Sequence, residues 1–240
     1  MLLVIDETKT IYKKLFWVAC LGKELIMKLV LKDVYKKMQK QVILNHVNAT
    51  FESGKIYGIV GRNGSGKTML FRAMSGLMNT EGEIWLDEKR LGKDMRILPN
   101  LGIIIENTEM YPEFSGYTNL KLLANIKKKL KKDEIKNVLR LVGLDPDDNK
   151  IVRKYSLGMK QKLAIAQALM EKPDILFLDE PTNGLDDEAV KNFWELLRKE
   201  RSKGTLILLA SHSKEDIEQL ADEVYYMKSG SLFKEENNER

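Results

Sequence analysis

One stretch of the chain combines glycines, a lysine and a hydroxyl residue in a spacing suited to binding phosphate. It fits the pattern G-x-x-x-x-G-K-[ST] in full and consists of Gly61, Arg62, Asn63, Gly64, Ser65, Gly66, Lys67 and Thr68. Glycines let backbone N–H groups turn inward onto phosphate oxygens, and a following helix presents its positive end to the same anion. We expect Lys67 to reach the β- and γ-phosphates of a nucleotide and the Thr68 hydroxyl to bind Mg²⁺. The stretch therefore predicts a nucleotide-binding loop.

Two adjacent carboxylates, Asp179 and Glu180, end an apolar run further along the chain. A buried strand would deliver Asp179 beside the metal ion of a bound nucleotide, where it can hold Mg²⁺ through a water molecule. Glu180 would then face the attacking water and polarise it. The alternative is a strand that merely ends in acidic residues. The phosphate-binding loop upstream favours the catalytic interpretation.

The segments around these motifs alternate between two periodicities. Apolar and β-branched runs bounded by Gly, Asn and Ser predict strands, and apolar residues at three- and four-residue spacing predict helices. Strands followed by helices imply a parallel sheet with crossover connections. The predicted strands are 29–34, 41–51, 55–61, 83–87, 101–106, 174–180 and 205–211, with a hairpin at 223–233. The predicted helices are 69–78, 119–130, 133–144, 158–170, 187–201 and 213–221.

The same patterns divide the chain into regions. Residues 1–26 show neither period, so we interpret them as an N-terminal extension and Met27 as a candidate translation start. From about 107 to 170 the pattern is helical and lies between two strand-rich parts. We therefore expect one domain over 27–240, with a core of 27–106 and 171–240 and a helical insertion at about 107–170.

Composition excludes several classes of protein. The chain is 43% hydrophobic and 31% charged, as in ordinary globular proteins. Its longest apolar run, Leu15–Leu21, is far shorter than the roughly 18–20 residues that span a bilayer, and no small-residue cleavage site follows it. The only cysteine, Cys20, excludes an internal disulfide and fits a reducing cytosol. The basic run Lys127–Lys132 would suit nucleic acid or lipid, but we favour a solvated helix end and expect no nucleic-acid partner.

A third motif stands shortly before the acidic strand. Residues 155–159 read YSLGM, with Ser156 suited to cap a helix and Gly158 allowing close approach. Together with the phosphate loop and the two carboxylates, this stretch resembles the nucleotide-binding domain of ABC proteins, whose signature reads LSGGQ. The resemblance covers roughly residues 27–233.

The resemblance implies roles for further residues. Ser156 and Gly158 would contact the γ-phosphate bound by an opposite subunit, and Asp186, in the D-loop, would touch the partner's site. His212 follows an apolar strand where the family has its switch histidine, in contact with the γ-phosphate; His46 has no such context. Three residues depart from LSGGQ but leave the hydroxyl, the glycine and the helix dipole in place: Tyr155, Leu157 and Met159.

Two other positions differ from the family's pattern. Glu106 stands where the family has its Q-loop glutamine; it can still hold a metal-bound water through an oxygen but adds a charge. Its context, IIEN followed by YPEFSGYTNL, is similar to the bacitracin- and antimicrobial-peptide-export group of ABC ATPases. The aromatic residue that stacks on adenine is replaced by Met38, with Tyr35 as the nearest substitute.

The resemblance implies an α/β fold: a P-loop NTPase core of the ABC type with a mixed sheet, an N-terminal antiparallel β region and an inserted helical subdomain. It implies ATP and Mg²⁺ as cofactors. It also implies a dimer with a second ABC subunit, expected to be a homodimer, in which each ATP lies between one chain's P-loop and the other's signature. Separate transmembrane permease subunits would hold this dimer at the cytoplasmic face of the cell membrane.

The function implied is ATP hydrolysis that drives transport, with export of an antimicrobial peptide or a similar compound as the expected task. The alternative is a soluble ABC ATPase of a non-transport assembly, such as iron–sulfur scaffold building. About 90 residues between Lys67 and Ser156 leave no room for the long coiled-coil arms of DNA-repair relatives.

Overall fold

The computed structural model describes residues 26–105, 110–127 and 130–235, which form two sheets and six helices in these ranges. The strands are β1 (Lys28–Met38), β2 (Gln41–Glu52), β3 (Ile56–Val60), β4 (Glu81–Leu86), β5 (Lys89–Arg90), β6 (Leu101–Ile104), β7 (Ile175–Asp179), β8 (Leu206–Ala210), β9 (Glu223–Lys228) and β10 (Ser231–Lys234). The helices are α1 (Lys67–Ser75), α2 (Gly116–Lys127), α3 (Lys132–Leu141), α4 (Leu157–Leu169), α5 (Asp187–Ser202) and α6 (Lys214–Leu220), with a 3-10 turn at Val152–Lys154.

The central sheet has the strand order β10-β9-β3-β8-β7-β6. All its neighbouring strands pair in parallel except β9 and β10, which form an antiparallel hairpin. Strands β7 and β8 are buried along their whole length, which explains why their sequences are continuously apolar: helices or a second sheet cover both faces. The predicted mixed sheet is confirmed.

The second sheet is antiparallel, with the order β2-β1-β4-β5. Along β1 the buried residues are Leu29, Leu31 and Val34, so the two-residue alternation breaks once. The break coincides with a register shift against β2, where Asp33 and His46 both adopt positive φ, 53° and 51°. The bulge returns Val34 to the buried face, and the expected N-terminal antiparallel β region is present.

The core consists of two clusters on opposite faces of the central sheet. Alternate residues of the parallel strands point to each side: Phe177 of β7 faces one cluster, and Leu176 and Leu178 face the other. The antiparallel sheet and α1 cover the first face, and residues of the remaining five described helices cover the second. Phe71 of α1 stacks on Phe177 at a centroid distance of 5.3 Å.

The predicted helices between β6 and β7 are confirmed as α2, α3 and α4. Helix α4 also packs closely on the central sheet. Gly102 in β6 permits this contact because it has no side chain: a Cβ there would lie 2.1 Å from the carbonyl oxygen of Ala168 in α4. The helical stretch is therefore joined to the core through its last helix. The limits of the predicted insertion stay a prediction, and residues 1–25 and Glu106 lie outside the described residues.

In the described parts of the chain, every helix is too short or too polar to cross a bilayer.

The stacked pair Phe71–Phe177 joins the helix after the phosphate loop to the strand that ends at Asp179. Phe177 is 0% exposed, so Phe177→Ala should lower the free energy of unfolding by about 3–5 kcal/mol through lost contacts and an unfilled cavity. Phe233→Ala is the matched control, because this ring is 55% exposed; its effect should stay below about 0.5 kcal/mol. Urea unfolding measures both, and equal midpoints for the two variants would contradict this account of the core.

Candidate nucleotide-binding and catalytic site

The phosphate loop occupies the turn between β3 and α1. Strand β3 ends at Val60 and the helix begins at Lys67, with Gly66 as the capping residue at φ 113°. Only glycine adopts this φ without strain. A side chain at Gly66 would also lie 2.8 Å from the methyl carbon of Met227. The conformation places the N-terminus of α1 at the carboxyl edge of the central sheet, as the sequence predicted.

Two polar side chains of the loop are buried. The Lys67 ammonium donates a hydrogen bond to the Gly61 carbonyl at 2.6 Å, and the residue is 6% exposed. The Ser65 hydroxyl oxygen is buried and has no hydrogen-bond partner among the described residues. A buried polar atom without a partner costs stability unless a ligand supplies one. The loop therefore has unused capacity for a polar ligand such as phosphate.

The turn that joins β9 to β10 is hydrogen-bonded to the phosphate loop. The Gly230 N–H donates to the Ser65 carbonyl at 3.0 Å, and the Asn45 N–H donates to the Gly230 carbonyl at 2.8 Å. Ser229 and Gly230 both have positive φ, 49° and 82°, as a two-residue type I′ turn requires. The sequence predicted this turn from its Ser-Gly pair but carried no signal that the turn braces the phosphate loop.

Asp179 and Thr68 meet at the carboxyl end of β7. The Thr68 hydroxyl donates to the Asp179 carboxylate at 2.5 Å, and Asp179 is 8% exposed. Hydroxyl and carboxylate oxygens are the ligands that Mg²⁺ prefers. The described residues contain no cluster of three or more His, Cys, Asp or Glu side chains able to hold a metal by themselves. This donor pair therefore fits an ion whose remaining ligands are phosphate oxygens and water.

Glu180 and His212 form a pair beside these residues. Glu180 adopts φ 51°, and its carboxylate oxygen Oε2 lies 2.6 Å from Nδ1 of His212. The backbone N–H of His212 reaches the same oxygen at 3.3 Å. The other oxygen, Oε1, is buried and unpaired among the described residues. The structure thus brings together Glu180 and His212, two of the three residues predicted to take part in hydrolysis; the third is Lys67 of the phosphate loop.

The predicted signature and D-loop residues lie at helix starts. Ser156 caps α4 by accepting from the Met159 N–H at 3.2 Å, and Asp186 caps α5 by accepting from the Ala189 N–H at 2.8 Å. Both residues are exposed. A Cβ added to Gly158 would lie 2.8 Å from the carbonyl oxygen of Gly184. The signature turn and the D-loop of one chain are therefore packed against each other.

A cavity of about 1300 Å³ connects the phosphate loop with the two carboxylates. It is lined by all of Gly61–Thr68 and by Asp179 and Glu180. Three further sets of lining residues were not predicted to belong to the site: Gln41, Val42 and Ile43 at the start of β2; the hairpin residues Tyr226, Met227, Lys228, Ser229 and Gly230; and Leu157, Gln161 and Asn183. The pairing of distant strands brings the first two sets to the cavity, whereas Leu157 belongs to the signature stretch and Gln161 lies one turn further along α4.

The two residues predicted as candidates for contact with the nucleotide base, Met38 and Tyr35, lie outside the cavity lining. Met38 ends β1, is 45% exposed and does not line the cavity, whereas Val42, just beyond the β1–β2 turn, does. The Tyr35 ring packs on His46 with centroids 5.0 Å apart and is also absent from the lining. Tyr226 is an aromatic residue that does line it; a hydrogen bond to the Glu235 carboxylate raises the pKa of its phenol.

Comparison with known proteins agrees with this site. The family model described as ABC transporter matches residues 44–183, more than half of the chain. The chain is 46% identical over 201 residues to the uncharacterized ABC transporter ATP-binding protein YybJ of Bacillus subtilis, covering 83% of this chain and 92% of that protein.

Two other relatives are named for antimicrobial peptides. The bacitracin transport ATP-binding protein BcrA of Enterococcus faecalis is 37% identical over 218 residues, covering 89% of this chain and 71% of BcrA. The lantibiotic transport ATP-binding protein SrtF of Streptococcus pyogenes is 35% identical over 208 residues, covering 86% and 90%. The resemblance to this group is confirmed.

Solved structures match the fold. A dimeric structure of the bacterial ABC transporter cassette MJ0796 has a TM-score of 0.77 at 24% identity, covering 85% of this chain and 96% of that one. An ATP-binding subunit of an ABC transporter has the same TM-score at 27% identity, covering 88% and 90%. The predicted ABC-type α/β fold is confirmed. With its phosphate loop, its acidic strand end and these relatives, the chain belongs to the ABC transporter family as an ATP-binding, ATP-hydrolysing member.

Proposed function

We propose that this chain is the ATPase subunit of a transporter that exports an antimicrobial peptide or a similar compound. The observation that carries the hydrolytic part is the Glu180–His212 pair, which leaves one buried carboxylate oxygen of Glu180 free beside Thr68 and Asp179. The substrate class rests on the bacitracin and lantibiotic relatives.

In this proposal the phosphate-binding residues and the metal-binding residues of the cavity have distinct tasks. The N-terminus of α1 and Lys67 bind the β- and γ-phosphates, since buried charge-assisted hydrogen bonds are stronger than neutral ones. Thr68 and Asp179 would hold Mg²⁺, which when bound would neutralise charge that develops on the phosphate oxygens. Their hydrogen bond supports this assignment, because it brings the hydroxyl and carboxylate oxygens within 2.5 Å of each other.

Glu180 would activate water through its unpaired oxygen Oε1. The Oε2 oxygen is engaged by His212, so the carboxylate has one direction left for a further partner. A water molecule there would donate one hydrogen bond to Oε1 and attack the γ-phosphorus with its oxygen, while the bond from that phosphorus to the β–γ bridging oxygen breaks and ADP leaves with the electron pair. Glu180 would orient and polarise that water and accept its proton, and His212 would hold Glu180 in place.

A second copy of the chain would complete the site. Ser156 and Asp186 are exposed at helix N-termini, and Leu157, next to Ser156, is 67% exposed. Among the described residues, none of the phosphate-loop bonds involves these three. A partner's α4 N-terminus placed over the γ-phosphate would add backbone donors and exclude water from the cavity. We therefore propose a homodimer with two ATP molecules between the subunits.

A separate permease would dock on the segment between β6 and α2. Tyr111 and Phe114 there are 59% and 42% exposed, with ring centroids 6.0 Å apart. The buried Asn119 holds the segment, accepting from the Tyr111 N–H at 2.8 Å and donating to its carbonyl at 3.1 Å. A rigid, exposed aromatic pair is a suitable anchor for a partner. This docking would place the chain at the cytoplasmic face of the cell membrane.

Glu180→Gln should retain ATP binding and lose hydrolysis by about 10²–10⁴-fold, because an amide cannot polarise water as a carboxylate does. With Mg-ATP the variant should elute as a dimer in size-exclusion chromatography, since the ATP that joins the subunits persists. Lys67→Ala is the control: it should lose nucleotide binding and hydrolysis together and elute as a monomer. A Glu180→Gln variant that hydrolyses ATP at the wild-type rate would remove Glu180 from the catalytic role.

Crosslinking tests the docking segment. In a Cys20→Ser background, a cysteine at Phe114 should crosslink to the permease subunit present in the same membranes, since the exposed ring lies on the proposed contact. A cysteine at Lys228, exposed on the hairpin beside the nucleotide cavity, should not. Crosslinks from position 228 without any from position 114 would place the permease elsewhere.

Affinity for the base should be low. Stacking on an aromatic ring contributes on the order of 1–3 kcal/mol per base, and sulfur–ring contacts contribute about 0.3–1.5 kcal/mol. Met38 lies outside the cavity lining but pairs with Gln41, which lines it, so the longer side chain of a tyrosine would extend toward the base. Met38→Tyr should then tighten ATP binding by roughly 1 kcal/mol, about fivefold. Tyr35→Ala should change it little, because that ring packs on His46. Titration with a fluorescent ATP analogue measures the affinity of both variants. A severalfold loss of ATP affinity in Tyr35→Ala would make Tyr35 the stacking residue instead.

A further inference from the structure

Asp216 is a buried carboxylate outside the nucleotide cavity. It is 1% exposed and accepts three side-chain hydrogen bonds: from the Thr182 hydroxyl at 2.7 Å, the Ser211 hydroxyl at 2.9 Å and the Trp194 indole N–H at 2.8 Å. No lysine, arginine or histidine in the described part of the chain forms an ion pair with it. A buried carboxylate satisfied only by neutral donors is costly to maintain, which calls for a role beyond packing.

The three donors come from three separate segments. Thr182 lies two residues after Glu180, and Ser211 directly precedes His212. Both hydroxyls bind the same oxygen, Oδ2, while the indole of Trp194 on α5 binds Oδ1. One side of the carboxylate therefore joins the two catalytic loops to each other. The other side fixes the carboxylate to a helix.

The geometry that these loops must maintain is strained. Glu180 has φ 51°, a left-handed conformation that is strained for a non-glycine residue. Its contact with His212, 2.6 Å between Oε2 and Nδ1, depends on the spacing of two loops that follow different strands. Such a conformation persists only where surrounding contacts hold both ends.

We propose that Asp216 is a positioning residue for ATP hydrolysis. Through Thr182 and Ser211 it holds the loops of Glu180 and His212 at the separation that directs the free oxygen of Glu180 toward water. Asp216 itself is 1% exposed and does not line the nucleotide cavity, so it would act through these partners. This inference rests on the proposed catalytic role of Glu180.

The hydrogen-bonding properties of the three donors explain why a carboxylate, rather than an amide, suits position 216. The indole N–H can only donate, and an ionised carboxylate can only accept, so all three bonds form without competition. In Asp216→Asn the amide oxygen would keep the indole bond, and the amide nitrogen would force both hydroxyls to act as acceptors. We expect Asp216→Asn to fold and to lose activity.

Substitution of the donors separates positioning from general stability. Thr182→Val and Ser211→Ala each remove a loop donor and should lower kcat by about tenfold to 100-fold, as misplacement by about 1 Å does. Their KM for ATP should stay within about twofold, since the phosphate loop is untouched. Thr182→Ser restores the hydroxyl and should recover kcat. Trp194→Phe is the matched control, because it removes the helix donor alone; it should lower the melting temperature and leave kcat within about twofold.

Steady-state phosphate release with Mg-ATP measures kcat and KM, and thermal melting measures stability. Both are applied to the five variants: Asp216→Asn, Thr182→Val, Ser211→Ala, Thr182→Ser and Trp194→Phe. The inference is overturned if Thr182→Val and Ser211→Ala keep wild-type kcat, or if kcat falls in Trp194→Phe as much as in the loop variants. Glu180→Gln, measured alongside, tests the catalytic role itself. If that variant hydrolyses ATP normally, the proposed catalytic role fails; if it is inactive while the loop variants are active, only the positioning role fails.

Discussion

The site depends on the parallel pairing of β3, β8 and β7. In this register Ile59 pairs with Ala210, and Ala210 pairs with Asp179, so the three strands end at the same level of the sheet. Gly61 of the phosphate loop and His212 follow two residues later, and the two carboxylates are Asp179 itself and the next residue, Glu180. A shift of one residue in any pair would turn its side chains to the opposite face and separate these groups. The buried apolar residues of β7 and β8 oppose such a shift, because it would disrupt the packing of both core clusters at once.

At this edge of the sheet, some buried polar side-chain atoms have hydrogen-bond partners within the chain, and others have none among the described residues. Lys67 and Asp179 are buried, yet each has a partner within the chain, so their charges are tolerated before nucleotide binds. Ser65 Oγ and Glu180 Oε1 are buried without one in the described residues. The atoms with partners hold the shape of the cavity, and those without have hydrogen-bonding capacity that phosphate and water would use in the proposed reaction. Folding thereby supplies the orientation that the proposed reaction requires.

The departures from the ABC pattern differ in their placement: Met38 and Leu157 are exposed, whereas Tyr155 is buried. The residues from Gly61 to Thr68 and at the end of β7 follow the pattern in full, and in the proposed site they would contact the phosphates that every nucleotide shares. Met38 ends β1 outside the cavity lining, and Leu157 lies at the exposed turn that a second copy would cover in the proposed dimer. In this proposal the altered positions would affect contact with the base and the dimer surface, while the phosphate-binding residues keep the family's pattern.

The sequence alone determined the phosphate loop, the acidic strand end, the signature turn and nearly every helix and strand, because each depends on residues close together in the chain. Backbone freedom at glycine, helix capping by Ser156 and apolar periodicity are local properties. Sequence reasoning could not find the brace from Gly230 to Ser65, the lining by Val42 and Tyr226, or the convergence of Thr182, Ser211 and Trp194 on Asp216. Those contacts join residues far apart in the chain, and no local pattern records them. Only the tertiary structure decided them, because the register of the parallel strands and the two-sided packing of the sheet set which distant segments meet.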